Sequence, residues 1–68
     1  MEIVVASNDP VRLGFLLLLL RDAGLDPVVY DSHMAAVEGS IGAIQRRIAV
    51  PSPQGSAARR VLREAGEL

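Results

Sequence analysis

The chain has no cysteine and almost no aromatic side chains, and both absences limit what it can be. Among its 68 residues, Phe15 and Tyr30 are the only aromatic ones. Without cysteine, neither a disulfide nor a thiolate metal site can stabilise the fold. A domain of this length has a thin core and marginal stability. We therefore expect an aliphatic core, and stability that comes from helix packing, from a partner, or from both.

The chain also lacks an excess of positive or of negative charge. The formal net charge is −1, and all seven basic residues are Arg. This balance gives no overall attraction to nucleic acid or to an acidic membrane. The scarcity of aromatic residues also argues against a surface that stacks on bases. We predict a single domain over residues 1–68, with no nucleic-acid partner and no membrane partner.

A run of five leucines raises the question of a membrane segment or a signal peptide. The apolar stretch from Phe15 to Leu20 is far shorter than the roughly 20 residues of a spanning helix. A signal peptide needs a basic leading segment, but Glu2 and Asp9 precede the run against Arg12 alone. No small-residue cleavage site follows it. We therefore predict a cytoplasmic protein in which the leucines form a helix.

The ends of this helix are marked by local signals. Asp9 can cap it and Pro10 suits its first position. Gly24 can adopt the left-handed conformation that ends a helix, and Pro27 prevents its continuation. The sequence therefore predicts a helix over residues 10–23.

Placed at 100° per residue, this helix is apolar on two opposite sides. The first side has the spacing of a core face, and the second would need a cover of its own because a small domain covers one side of a helix. The predicted core face consists of Leu13, Leu16, Leu17 and Leu20, and the second stripe consists of Val11, Phe15 and Leu18.

Three strands and a second helix complete the predicted fold. The strands cover residues 2–6, 27–31 and 46–50, and the helix covers residues 52–66 with Ser52 as its cap. We predict an α+β, ferredoxin-like β-α-β-β-α fold, with a three-stranded sheet and two helices on one face. The third strand is expected between the other two, parallel to the first and antiparallel to the second. The predicted buried stripe of the second helix is Ala58, Val61, Leu62 and Ala65.

Several segments together resemble a bacterial family of small domains of unknown function that are described as prokaryotic signal-transducing proteins. They are "AGLDP" (23–27), "DSHM" (31–34), "VP" (50–51) and "ARRVL" (58–62). The family is similar in fold to PII-type proteins, which are trimeric ferredoxin-like regulators, and this implies a regulatory role by analogy. The family's second helix usually opens with acidic residues, whereas "SPQGS" (52–56) has none. A partner that reads those acids is therefore not expected here.

The connection over residues 32–45 is the predicted binding loop, because loops of this length in small domains are often functional. Its candidate residues for an effector or a protein partner are His33, Met34, Glu38, Gly39 and Gly42. One His with scattered acids is a weak zinc pattern, and the serines lack a base and an orienting acid. We predict no metal, no cofactor and no enzymatic activity, and a small metal-dependent or hydrolytic enzyme is the remote alternative.

Exposed apolar surface predicts self-association. The first strand should lie at a sheet edge, where unpaired backbone groups favour contact with another chain. The predicted oligomer interface consists of Ile3, Val4, Val5, Val11, Phe15 and Leu18. A dimer is favoured because two-fold symmetry is commonest, and a trimer is the alternative.

Two function hypotheses follow from the sequence. The first is a non-catalytic regulatory or adaptor domain that binds a protein or a small effector near the loop. The second is a pure interaction module that uses the apolar stripe of the first helix.

Overall fold

The computed structural model of the chain describes residues 1–31 and 45–68. Its elements, in chain order, are β1 (Glu2–Ser7), α1 (Pro10–Asp22), β2 (Val28–Asp31), β3 (Arg46–Val50), a 3₁₀ turn (Ser52–Gln54) and α2 (Gly55–Glu64). This order confirms the predicted α+β arrangement β-α-β-β-α.

The sheet has the strand order β1-β3-β2, so β3 is central, as predicted. β3 is antiparallel to both neighbours. The prediction that β3 runs parallel to β1 is therefore wrong. A connection through one helix brings the chain back so that β1 and β2 run in the same direction. A strand that is antiparallel to β2 must then be antiparallel to β1 as well. Both β1 and β2 are edge strands.

A β-bulge interrupts the pairing of β1 with β3. Ile3 lies opposite Ala49 and Val5 lies opposite Ile48, so Val4 is the extra residue between them. Val4 and Val5 are both buried although they follow each other in the chain. In a regular strand, successive side chains point to opposite faces. The bulge breaks this alternation and lets two consecutive valines contribute to one core.

The predicted start and end of α1 are both confirmed. The Asp9 carboxylate accepts hydrogen bonds from the backbone N–H groups of Val11 (3.0 Å) and Arg12 (3.4 Å), and Pro10 follows it. At the other end Gly24 has φ +81°. The backbone N–H of Leu25 donates to the carbonyl of Leu20 at 3.1 Å. This hydrogen bond spans six residues and encloses a glycine in the left-handed conformation. The two features together define the Schellman motif, which ends many helices.

The start of α2 differs from the prediction. Ser52 makes no side-chain capping bond, and a 3₁₀ turn precedes the α-helix, which begins at Gly55. The Gln54 side chain in this turn forms two bonds with Asp26, whose N–H donates to Oε1 and whose Oδ2 accepts from Nε2, both at 2.9 Å. The turn is thereby tied to the connection between α1 and β2. This long-range contact competes with the local capping signal.

One face of the sheet and both helices form the hydrophobic core. The three leucines that α1 buries belong to its predicted core face, and Leu17 is partly buried beside them. Ala65, predicted in the buried stripe of α2, is exposed because α2 ends at Glu64 and Ala65 is its C-cap. The core cluster consists of Val4, Val5, Leu13, Leu16, Leu20, Ile48, Val50, Ala58 and Leu62.

We expect Gly24→Ala to lower the free energy of unfolding by about 1–2 kcal/mol, since a Cβ is strained in the left-handed conformation. The matched control is Gly14→Ala, inside α1, where nothing lies within 4 Å of an added Cβ. This control should gain about 0.5–1 kcal/mol, because alanine favours a helix over glycine. Urea unfolding of dilute protein measures both changes. Equal signs for the two variants would contradict the assignment of the helix end.

Candidate protein-interaction surfaces

Within residues 1–31 and 45–68, no helix packs on the sheet face opposite α1 and α2. Residues that are directly opposite each other in antiparallel strands share a face of the sheet. Ala49 lies opposite both Ile3 of β1 and Val28 of β2, which gives an apolar row across three strands. Arg47 lies opposite Ala6 and Tyr30 and forms a second row. These residues (Ile3, Ala6, Val28, Tyr30, Arg47 and Ala49) are called the open sheet face below.

The large apolar side chains of the open sheet face are only half covered. Ile3, Val28 and Tyr30 are 43–49% exposed, whereas Ala49 between them is fully buried. The short Ala49 side chain lies between longer side chains on both neighbouring strands. Arg47 is exposed in the second row. The face therefore combines an apolar row with one positive charge and one phenol hydroxyl.

The second stripe of α1 is exposed along its whole length. Val11 is 81% exposed, Phe15 is 48% exposed and Leu18 is 58% exposed. Each lies on the side of the helix away from the buried leucines. The sequence predicted that one side of this helix would need a cover of its own, and within the described residues no element provides it. This set of three residues is called the helix stripe below.

The predicted interface residues on β1 divide into two kinds. Ile3 belongs to the open sheet face, but the side chains of Val4 and Val5 are buried in the core. A contact made at this edge would therefore use backbone groups of β1 and the side chain of Ile3.

Two ion pairs attach α2 and its C-terminal end to the rest of the fold. The Arg59 guanidinium forms an ion pair with the Glu2 carboxylate. This carboxylate occupies the space that a Cβ on Gly55 would need. Arg12 Nε lies 3.1 Å from Glu67 Oε1. All four side chains are partly exposed, so each pair contributes at most about 1 kcal/mol.

A shallow, open depression was not predicted. It lies at the end of α1 and is lined by Arg21, Gly24, Leu25, Asp26, Pro27 and Val28. It is formed by the left-handed turn at Gly24 and the extended residues that follow. Val28 belongs both to this depression and to the open sheet face.

The predicted binding loop covers residues 32–45, of which the structure describes only the last. His33, Met34, Glu38, Gly39 and Gly42 lie outside the described residues, so their role stays a prediction. Over residues 1–31 and 45–68, no cluster of three or more His, Asp or Glu side chains could hold a metal ion. Within the same ranges, no helix combines the length and the hydropathy that crossing a membrane requires.

The sequence reasoning missed the open sheet face as a surface. The alternation of side chains along β3 puts Arg47 and Ala49 on the side opposite Ile48 and Val50, and the pairing of Ile48 with the buried Val5 agrees with this division. What the sequence reasoning lacked was the register that sets Ile3 and Val28 beside Ala49. That register follows from the strand directions, of which one was predicted wrongly.

Comparison with known proteins gives one match. Neither curated proteins nor solved structures show a significant similarity to the chain. A family model matches residues 1–66, and its description is "putative prokaryotic signal transducing protein". The function of this family is unknown. The matched residues include every described helix and strand. The chain therefore belongs to this family, as the resemblance of its segments predicted.

Proposed function

We propose that the chain is a non-catalytic regulatory or adaptor domain of signal transduction, which binds a protein partner through the open sheet face. The observation that carries this proposal is the apolar row formed by Ile3, Ala49 and Val28 across three strands, with both outer side chains half exposed. The family's description supports the signalling role. Cytoplasmic location is part of the proposal, and it requires no cofactor.

The chemistry of the face defines the partner. Tyr30 and Arg47 stand opposite each other next to the apolar row, and Tyr and Arg are among the residues that dominate binding energy at protein interfaces. A complementary partner presents an apolar segment that carries a carboxylate, which would meet the Arg47 guanidinium when the segment covers the row. Nucleic acid is a poorer fit, because the face offers one aromatic ring and one positive charge.

A second candidate function is self-association through the helix stripe. The exposure of Val11 (81%) favours it, since full burial of one such side chain is worth roughly 1.5–3 kcal/mol. Three such side chains amount to much of the few kcal/mol of net stability that a domain of this size has. A small effector bound near residues 32–45 is a third proposal, and it rests on the predicted loop alone.

Charge reversal on the open sheet face tests the leading proposal. We expect Val28→Glu and Arg47→Glu to abolish retention of the partner, because each places a negative charge against an apolar, acidic segment. Wild-type and variant proteins are immobilised, exposed to extract of the cells that produce the chain, and the retained proteins are identified by mass spectrometry. Circular dichroism checks that each variant is folded.

The matched control is Arg60→Glu, which makes the same charge change as Arg47→Glu at an exposed position of α2. A protein retained by the wild type and by this control, but lost with Val28→Glu and with Arg47→Glu, supports the proposal. Retention that survives both sheet variants, or a wild type that retains no protein, overturns it.

A further inference from the structure

An exposed glycine, Gly14, lies among the residues of the helix stripe, and no contact within the described chain explains it. Gly14 follows Val11 by three residues and precedes Leu18 by four, so all three lie on one face of α1. Phe15 lies beside Gly14 at the same level. Nothing is within 4 Å of a Cβ added at Gly14. A glycine in the middle of an exposed helix face weakens the helix relative to alanine. Its advantage is that another backbone can approach closely.

A second copy of α1 fits this face when the two helices run antiparallel. A two-fold axis that passes beside positions 14 and 15 brings the two Gly14 residues together at the point of closest approach. It also places Phe15 next to the partner's Phe15, and Val11 next to the partner's Leu18. The contact of Val11 with Leu18 then occurs twice, while the Gly14 and Phe15 pairs lie at the axis, as in an isologous interface. The three exposed apolar side chains of each copy are covered by the same three of the other.

The charges at the ends of α1 select this direction. Asp9 is exposed at the N-terminal end, and Arg21 is exposed in the last turn. In the antiparallel pair, Arg21 lies near the partner's Asp9, and each helix end meets an end of opposite dipole. A parallel pair would instead place arginine beside arginine and aspartate beside aspartate. Like charges at close range oppose association.

We propose that the chain forms a two-fold dimer through antiparallel α1 helices, with Gly14 at the crossing point. This inference rests on the second candidate function and names what covers the helix stripe, a second copy of the chain.

The dimer also has a consequence for the first candidate function, partner binding through the open sheet face. The helices cover the sheet face opposite the open one, so a dimer formed through α1 leaves both open sheet faces free. The dimer would therefore be a bivalent adaptor with two identical binding faces.

The decisive variant is Gly14→Leu, which adds apolar surface to an already apolar stripe. If association were non-specific, the added leucine would strengthen it. If two α1 helices approach each other closely at Gly14, the leucine side chain would block that contact. We expect the wild type to show twice the monomer mass of 7.2 kDa by light scattering after gel filtration. At about 100 µM, an interface with a Kd of about 1 µM is almost fully occupied. Gly14→Leu should halve the mass while keeping the helical circular dichroism signal, and Phe15→Glu should also halve it.

The lack of cysteine in the chain allows a test of the helix direction. We expect a mixture of Val11→Cys and Leu18→Cys proteins to form the mixed disulfide on mild oxidation. Leu18→Cys alone should form little, because the two Leu18 positions of an antiparallel pair are about 10 Å apart along the helix axis. Efficient cross-linking of Leu18→Cys with itself would indicate parallel helices and would overturn the proposal.

Two further outcomes separate this inference from the proposed function. A monomeric wild type at about 100 µM that still retains its partner through Val28 and Arg47 refutes the dimer and leaves the adaptor function standing. A wild-type dimer that persists in Gly14→Leu and in Phe15→Glu also refutes the helix interface, and it would place self-association on another surface. Arg60→Glu is the control, and its mass should equal that of the wild type.

Discussion

Leu16→Ala is expected to lower the free energy of unfolding by about 2–5 kcal/mol, and a loss at the upper end of this range would unfold most of the protein at room temperature. Leu16 is fully buried in the middle of α1, among core residues of both helices and the sheet. Truncation removes its transfer free energy and leaves a cavity. A domain of this size has a net stability of only about 3–5 kcal/mol. Urea unfolding followed by circular dichroism measures the change.

The matched control is Leu18→Ala, two residues further along the same helix. Leu18 is 58% exposed, so the same truncation removes little buried surface. We expect a change within about 0.5 kcal/mol, as is usual for surface positions. Dilute protein must be used, so that self-association does not contribute. A loss for Leu18 as large as that for Leu16 would show that the helix stripe is covered within the single chain.

Ile48→Ala is expected to destabilise the sheet by a similar amount, about 2–5 kcal/mol. Ile48 is fully buried on the central strand and pairs with Val5 on one side and Val29 on the other. Its side chain therefore supports all three strands at once. The change is measured by thermal and urea unfolding, and the slope of the urea transition shows whether the residual structure stays cooperative.

Ile3→Ala is the control for the sheet, since it makes the same truncation on the open sheet face. Ile3 is 49% exposed, and we expect its loss to be under about 1 kcal/mol. The two isoleucines together test the register. A slip of one residue would exchange the two faces of a strand. If Ile3→Ala proved more damaging than Ile48→Ala, the assignment of core face and open face would be reversed.

Local signals carried most of what the sequence could predict. Asp9 and Gly24 set the ends of α1 through bonds within a few residues, and both were read correctly. The two faces of the helix followed from its period. Ser52 was read by the same logic and failed, because the Gln54–Asp26 contact, 28 residues apart in sequence, dominates there. Prediction was accurate where neighbours decide the conformation and weaker where distant residues do.

The surfaces show the same division. The helix stripe is a property of one element, and its three residues were found from spacing alone. The open sheet face is a property of three strands, and it required both their order and their directions. β2 reads Val28-Val29-Tyr30, an uninterrupted apolar run in which no alternation reveals an exposed side. Its exposed residues became recognisable only through their partners on β3.

The bulge in β1 bears on whether the protein can polymerise. Within the described residues β1 and β2 form the two edges of the sheet. Unpaired edges can in principle grow without limit, since the β1 edge of each molecule can pair with the β2 edge of the next and build a fibre. An extra residue at Val4 bends and twists β1 locally, which leaves its outer edge a poor template for a straight strand. A contact between two α1 helices, by contrast, closes on itself after two chains. The bulge thus disfavours growth through the β1 edge, and the α1 contact that we propose would give a small, finite particle instead of a filament.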